Sequence, residues 1–189
     1  MIHHIIFEGA ELAGKSFLMS QIYDYLEPKY NKNKKVLDGC HWFNCDVGVY
    51  GTKYGKPVIK NYLKIFQELK NKNLLIEKFY ISDKIYNRLN NYREVKYKEI
   101  ERKLFGLNFK IILVVFPENK RILEKRIEDR LNLYPHYERI LRNYKWYIKQ
   151  QKEYLKETKK SKLPYFIVET KKLPDNNLTK KILKWIKES

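Results

Sequence analysis

A loop near the N-terminus has the residue types and spacing that hold a nucleotide phosphate. Residues 9–16 read Gly-Ala-Glu-Leu-Ala-Gly-Lys-Ser, the Walker A pattern of two glycines that flank four residues and precede Lys-Ser. In this pattern, backbone N–H groups surround the phosphates and the lysine contacts the β- and γ-phosphate oxygens, while the hydroxyl binds Mg²⁺. The predicted metal ligand is Ser16. The predicted ATP-binding residues are Gly9, Ala10, Glu11, Leu12, Ala13, Gly14, Lys15, Ser16 and Phe17.

The segments around this loop predict the elements that position it. An apolar run, Ile5-Ile6-Phe7, precedes the loop as a strand, and a stretch with helical periodicity follows from Lys15 to about Leu26. Further strands are predicted at 36–37, 74–76, 111–116 and 166–168, and helices are predicted between them. Residues 38–56 read as an irregular segment. The pattern predicts a single α/β domain over 1–189 with a P-loop NTPase fold: a five-stranded parallel sheet, helices on both faces and a short helical lid at about 118–136.

Composition narrows the class of protein. The chain has 189 residues and a formal net charge of +18, which is typical of proteins with an anionic partner. Lysines occur in nearly every segment, so the charge favours a generally basic surface over a dedicated nucleic-acid face. A nucleic-acid-binding P-loop protein is the alternative from another class. No apolar stretch is long enough to cross a bilayer and no secretory leader is recognisable, so we expect a cytoplasmic protein without a membrane partner. The sequence leaves open whether the chain forms a homodimer.

Two P-loop classes are excluded by length or by sequence. A GTPase would need a base-reading Asn-Lys-x-Asp after an inner strand, and the chain has none. Most motor and transporter ATPases are longer. The small nucleotide and nucleoside kinases remain, and their substrates are small nucleotides or nucleosides.

Three segments resemble those of thymidylate kinases. Residues 77–87, Glu-Lys-Phe-Tyr-Ile-Ser-Asp-Lys-Ile-Tyr-Asn, are similar to the Asp-Arg-aromatic, Ser, Tyr-Gln motif of that family. The acid at Glu11 matches an acid inside the family's P-loop. A strand that ends at Pro117 is followed by a helix with Arg126 and Arg130, which resemble the family's lid arginines, and Tyr144 on the next helix also fits.

The resemblance implies a kinase that depends on ATP and Mg²⁺ and phosphorylates a deoxynucleoside monophosphate, with dTMP as the expected acceptor. The catalytic residues it implies are Lys15, Glu77, Lys78, Arg126 and Arg130. Glu11 is implied to contact the 3′-hydroxyl of the acceptor sugar. From the residues alone, Glu77 also reads as a solvated acid, and Arg126 and Arg130 also read as part of a salt-bridged helix face.

This sequence departs from the thymidylate kinase pattern at positions implied to contact the phosphoryl acceptor. Glu77-Lys78 replaces Asp-Arg, and a glutamate there is the hallmark of deoxyribonucleoside kinases, which act on a nucleoside 5′-hydroxyl and are the alternative within enzymes. Asn87 replaces the family's glutamine. No arginine precedes Arg88 to hold an acceptor phosphate. The predicted substrate-binding residues are Glu11, Trp42, Tyr54, Lys56 and Asn87. Other candidates are Lys53 and Lys60 for the phosphate and Phe43 and Tyr50 for stacking on a base.

A segment rich in potential metal ligands runs from Cys40 to Asp46. It reads Cys-His-Trp-Phe-Asn-Cys-Asp, but its spacing matches no familiar zinc knuckle. We expect reduced cysteines and a substrate loop here, with zinc as the less favoured alternative.

Overall fold

Five parallel strands form one sheet in the order β2-β3-β1-β4-β5. The computed structural model describes residues 2–27, 39–172 and 175–188. Every strand pair in this sheet is parallel, so each connection crosses over through helical segments. The strands are β1 His4–Glu8, β2 Cys40–Asn44, β3 Asn73–Glu77, β4 Phe109–Val115 and β5 Tyr165–Glu169.

Helices cover both faces of the sheet. The helices of the described residues are α1 Lys15–Leu26, α2 Gly55–Glu68, α3 Tyr80–Asn91, α4 Lys98–Gly106, α5 Lys120–Leu133, α6 Tyr144–Lys159 and α7 Asn176–Glu188, and a 3₁₀ helix spans Pro135–Arg139. Helix α1 packs against the C-terminal helix α7, and α3 packs against both α2 and α6. Among these, no helix is both long enough and apolar enough to cross a bilayer.

The core explains why the central strands were predictable. Strands β1, β3 and β4 are covered on both faces, so their apolar residues form short continuous runs. Their fully buried members include Ile5, Ile76 and Leu113. The predicted fold, a five-stranded parallel sheet with helices on both faces, is confirmed.

One sequence prediction about the sheet is wrong. Residues 38–56 were expected to be irregular, but Cys40–Asn44 forms the edge strand β2, paired with β3 from Cys40 opposite Asn73 to Asn44 opposite Glu77. This strand is only partly buried and mixes polar with aromatic side chains, so it lacks the apolar run of a central strand. The strand predicted at 36–37 lies outside the described residues.

The carboxyl ends of three strands bring polar groups to one edge of the sheet. Glu8 ends β1, Asn44 ends β2 and Glu77 ends β3, and the register places Asn44 beside Glu77. The Walker A loop leaves β1 at this edge. In open parallel sheets, ligands bind outside the carboxyl ends of the strands, so the candidate site lies here.

Candidate active site

The Walker A loop has backbone conformations that few residues other than glycine adopt. Gly9 has φ 138° and Gly14 has φ 82°, and Leu12 also lies in the left-handed region at φ 65°. A Cβ on Gly9 would lie 2.2 Å from the carbonyl oxygen of Val114 on β4, so the close approach of loop and strand excludes any side chain there. Gly14 directly precedes α1, so the loop ends at a helix N-terminus, where N–H groups attract anions.

Lys15 lies inside this loop. Its Nζ donates to the carbonyl oxygens of Gly9 and Ala10, both at 2.8 Å, and only 6% of the residue is exposed. Burial, together with the positive charge of Lys78, lowers the pKa of Lys15 to about 8. A buried cation in a loop of backbone donors suits a polyanion such as a triphosphate.

Ser16 at the start of α1 contacts Glu77 at the end of β3. The Ser16 hydroxyl donates to Glu77 Oε1 at 2.8 Å. A hydroxyl and a carboxylate are hard oxygen ligands, which Mg²⁺ prefers, and Mg²⁺ sites in proteins commonly use one or two protein oxygens with substrate phosphates completing the shell. The two residues therefore fit the metal that the sequence predicts.

Lys78 lies between two carboxylates. Its Nζ is 2.8 Å from Asp46 Oδ2 and 3.6 Å from Glu11 Oε1. Burial alone would lower the pKa of Lys78, but the neighbouring Asp46 and Glu11 carboxylates raise it above its ordinary value. The hydroxyl of Tyr86 donates to the same Glu11 oxygen at 2.9 Å. Lys78 thus stays charged. Lys78, Asp46 and Glu11 together form a polar cluster at the Walker A loop.

Glu8 connects β1 to the start of α3. It is fully buried and accepts a hydrogen bond from the backbone N–H of Phe79 at 3.0 Å and from the Ser82 hydroxyl. The Ser82 hydroxyl is also 2.8 Å from the Tyr154 hydroxyl. Burial raises the pKa of Glu8 to about 7, and the hydrogen bonds from Ser82 and Phe79 oppose the rise. These hydrogen bonds fix the backbone at the start of α3, directly after Glu77 and Lys78.

The two predicted lid arginines do not converge on one group. Arg126 donates through Nη1 to the Leu12 carbonyl at 2.9 Å and to Thr170 Oγ1 at 3.2 Å, so it contacts the Walker A loop itself. Burial lowers its pKa. Arg130, one turn later on α5, lies over the ring of Tyr137 with its Cζ 4.6 Å from the ring centroid. The role of each in catalysis stays a prediction.

A cleft of about 290 Å³ lies between α2, α3 and the segment that follows α3. Two of the predicted substrate residues, Lys56 and Asn87, line it, together with Lys53 and Lys60. Tyr54 is exposed and lies under Lys53, whose Nζ is 5.1 Å from the ring centroid. Trp42 is not brought to this cleft: its ring lies 6.1 Å from that of Tyr23 on α1. Glu11 lies instead in the polar cluster with Lys78.

Three residues of the site were missed by sequence reasoning. Asp46 pairs with Lys78, while Asp83 and Arg93 line the cleft. Arg93 lies just beyond α3 and supplies the cleft with a guanidinium, in a chain that has no arginine before Arg88. In the sequence, Arg93 is marked only by its position two residues after α3 ends. That signal can be used only if the end of the helix is already known.

The cysteine-rich segment does not form a metal site. Cys40 and Cys45 are free and buried, and burial raises the pKa of the Cys40 thiol to about 12. Within the described residues, no group of three or more histidine, cysteine, aspartate or glutamate side chains is placed to hold a metal ion.

Solved structures of other proteins share this architecture. The YorR protein from Bacillus subtilis, solved in complex with phosphorylated GDP, superposes with a TM-score of 0.66 at 14% identity over 97% of this chain and 95% of that one. A deoxyadenosine kinase from M. mycoides with bound dCTP gives 0.54 at 18% identity, over all of both chains. A thymidylate kinase from Ehrlichia chaffeensis gives 0.50 at 12% identity, over 98% of each chain.

This chain shares their fold, a five-stranded parallel sheet with helices on both faces. The likeness covers at least 95% of each of these chains, and at such low identity it concerns the fold alone. No protein-family model and no curated protein matches the sequence.

Proposed function

We propose that the protein is a kinase that transfers the γ-phosphoryl group of ATP to a deoxynucleotide or deoxynucleoside. The observation that carries this proposal is the Ser16–Glu77 hydrogen bond of 2.8 Å beside the buried Lys15 in a Walker A loop. It joins the Walker A loop to an acid at the end of a neighbouring strand, which is the arrangement in which P-loop proteins hold Mg²⁺ beside the nucleotide phosphates.

Catalysis in this proposal is positioning and charge stabilisation. Lys15 and the loop N–H groups would hold the β- and γ-phosphates, and Ser16 and Glu77 would hold Mg²⁺. When bound, Mg²⁺ supplies positive charge to the phosphate oxygens. Lys78 stabilises charge on the transferring group. The lid, approximately 118–136, supplies Arg126 beside the Walker A loop and Arg130 one turn later on the same helix.

A monophosphate is the acceptor that the charges favour. Lys53, Lys56, Lys60 and Arg93 all line the acceptor cleft, whereas a free nucleoside carries no charge for them to neutralise. The sequence resemblance adds dTMP as the expected member of this class. Glu11, held by Tyr86, serves in this proposal as the group that orients the acceptor sugar.

A deoxyribonucleoside is the second candidate acceptor, and Asp46 favours it. The Asp46 carboxylate is 2.8 Å from Lys78 at the carboxyl edge of the sheet, and a carboxylate there can accept the proton of a 5′-hydroxyl. The name of the deoxyadenosine kinase with this fold agrees with such an acceptor.

The test is a transfer assay with γ-labelled ATP and Mg²⁺, in which the common deoxynucleosides and their 5′-monophosphates are supplied one at a time. We expect a labelled product with at least one monophosphate. Label on a nucleoside with none on any monophosphate would select the second candidate. Release of labelled phosphate to water alone, with no acceptor labelled, would contradict the proposal.

A further inference from the structure

Arg130 on α5 is held by two aromatic rings. Its Cζ lies 4.6 Å from the ring centroid of Tyr137 and 5.5 Å from that of Tyr134. At both distances a guanidinium is attracted to the electron-rich face of the ring. Arg130 and Tyr137 are both half-buried, so water only partly screens the closer of the two contacts. The two tyrosines therefore restrict where the Arg130 guanidinium can lie.

The backbone that follows α5 brings these rings to Arg130. Helix α5 ends at Leu133, and the backbone N–H of Tyr134 still donates to the Arg130 carbonyl at 2.9 Å. Pro135 begins the 3₁₀ helix, in which the N–H of Tyr137 donates to the Tyr134 carbonyl at 3.0 Å. The chain turns back here, and the 3₁₀ helix packs against α5. Short-range hydrogen bonds thus fix both rings relative to Arg130.

The rings hold the Arg130 guanidinium without using its hydrogen-bond donors. A guanidinium carries five N–H donors, and the face of an aromatic ring offers them no oxygen acceptor. Among the residues that the structure describes, no carboxylate or carbonyl oxygen is paired with the Arg130 guanidinium. The guanidinium of Arg126 differs, since it donates to the carbonyls of Leu12 and Thr170. Arg130 is consequently a cation held in place with its donors available to an anion.

Arg130 lies on the side of α5 that faces the Walker A loop. Arg126, one turn earlier, donates to a backbone carbonyl of that loop, and residues four apart on a helix share a face. The hydroxyl of Tyr147 on α6 gives a second indication. Burial raises the pKa of Tyr147, and the nearby charge of Glu11 adds to the rise while that of Arg130 opposes it. One hydroxyl is thus within electrostatic range of both Arg130 and a residue of the Walker A loop.

A cation that is already in place stabilises developing negative charge without reorganising during the reaction. A free arginine side chain would instead lose rotamer freedom each time it engaged the phosphoryl group. We propose that Tyr137, together with Tyr134, is a positioning residue that holds the Arg130 guanidinium beside the Walker A loop, where its free donors bind the transferring phosphoryl group. This inference rests on the proposed function and deepens it, because it assigns the residues that position one of its cations.

The test measures kcat and KM for ATP in two variants of Tyr137. Tyr137→Leu removes the ring but keeps an apolar side chain, so we expect kcat to fall about three- to tenfold while KM changes less than about twofold. Tyr137→Phe keeps the ring and should recover most of the kcat that the leucine variant loses. Tyr165→Leu, at an exposed tyrosine where β5 begins, is the matched control and should keep the wild-type kcat.

A double-mutant cycle separates positioning of Arg130 from a general effect on the lid. If the ring acts through Arg130, Tyr137→Leu should change kcat by less than about twofold once Arg130 has been replaced by alanine. The NMR signal of the Arg130 Nε–H gives a readout in the free protein. The ring current of Tyr137 should shift this signal in the wild type and in Tyr137→Phe, and the shift should be lost in Tyr137→Leu. Thermal unfolding shows whether each variant is folded.

The outcomes separate this inference from the proposed function. An unchanged or higher kcat in Tyr137→Leu, an equal loss in Tyr137→Phe, or an equal loss in the Arg130→Ala background would each overturn the inference and leave phosphoryl transfer in place. If the wild type labels no acceptor, the proposed function fails, and calorimetry with ADP and aluminium fluoride, which together mimic a transferring phosphoryl group, decides the inference. Tighter binding of this pair than of ADP alone, weakened in Tyr137→Leu, would support it. Equal binding by the wild type and Tyr137→Leu would overturn it.

Discussion

The hydroxyl of Ser16 lies 2.8 Å from Glu77 Oε1, which joins the first turn of α1 to the end of β3. The two residues are 61 positions apart in the chain. They meet because β1 and β3 are adjacent parallel strands whose carboxyl ends share one edge. If both hold the same Mg²⁺, their contributions must be coupled.

We expect Ser16→Ala and Glu77→Gln each to raise the Mg²⁺ concentration needed for half-maximal transfer by about 10- to 100-fold. The double variant should need little more Mg²⁺ than the more impaired single variant, because both residues hold the same ion. Mg²⁺ titrations of the transfer rate measure this, with Glu68→Gln, an exposed acid on α2, as the control. Strictly multiplicative effects would contradict a shared ion.

The lowered pKa of Lys15 makes a prediction for alkaline pH. Lys15 is charged below its pKa of about 8 and neutral above it, so kcat/KM for ATP should hold at neutral pH and fall about tenfold per unit well above pH 8. An ordinary lysine would keep its charge until about pH 10. A profile from pH 6 to 9.5 tests this, with Lys78→Arg as the control that should keep the alkaline fall. A flat profile to pH 9.5 would contradict the burial of Lys15.

The different surroundings of Arg126 and Arg130 predict different phenotypes. Arg126→Ala removes hydrogen bonds to Leu12 and Thr170, so we expect a loss of about 1–3 kcal/mol in the free energy of unfolding together with weaker ATP binding. Arg130→Ala should leave stability unchanged and lower kcat, as expected for a lid cation.

Thermal unfolding and steady-state kinetics of both variants test this difference. Arg121→Ala, an exposed arginine of the same helix, is the control. Unchanged stability in Arg126→Ala would disagree with its contacts, and an unchanged kcat in Arg130→Ala would make that residue part of the solvated helix face.

The close approach of Gly55 to Asp83 predicts an effect on the cleft between α2 and α3. A Cβ on Gly55 would lie 1.9 Å from Asp83 Oδ1, and a shift of Asp83 would disturb the lining of the cleft. We expect Gly55→Ala to destabilise the fold by about 1–3 kcal/mol and to weaken acceptor binding with ATP binding preserved. Gly106→Ala is the control, since a Cβ there meets no atom within 4 Å. Equal melting temperatures for the two variants would show that the site tolerates the extra carbon.

The sequence predicted the position of the Walker A loop between β1 and α1 because the pattern is local. Gly9 to Ser16 lie in one continuous segment between the buried strand β1 and the helix α1, and both elements have a simple apolar pattern. The edge strand β2 was missed because it is only partly buried, so its residues do not show the apolar run of the central strands.

The cleft between α2 and α3 could not be predicted in the same way. The orientation of Asn87 depends on Asp83, and Asp83 depends on Gly51 and Tyr97, which lie 32 and 14 residues away in the chain. The spacing of Arg126 and Arg130 predicts a shared helix face, but the residues that they contact come from the Walker A loop, from Thr170 and from the 3₁₀ helix. These contacts exist only in the folded chain.

Lys15→Ala tests the central claim, which is that the protein transfers a phosphoryl group from ATP bound at the Walker A loop. Transfer of label from γ-labelled ATP to the preferred acceptor should fall by about 10³-fold or more, since the charge on the phosphates is lost. The control Lys181→Ala, an exposed lysine on α7, should keep the wild-type rate. Circular dichroism should show both variants folded. Transfer by Lys15→Ala within about tenfold of the wild type, equivalent to only ~1.4 kcal/mol in the barrier, would contradict the claim.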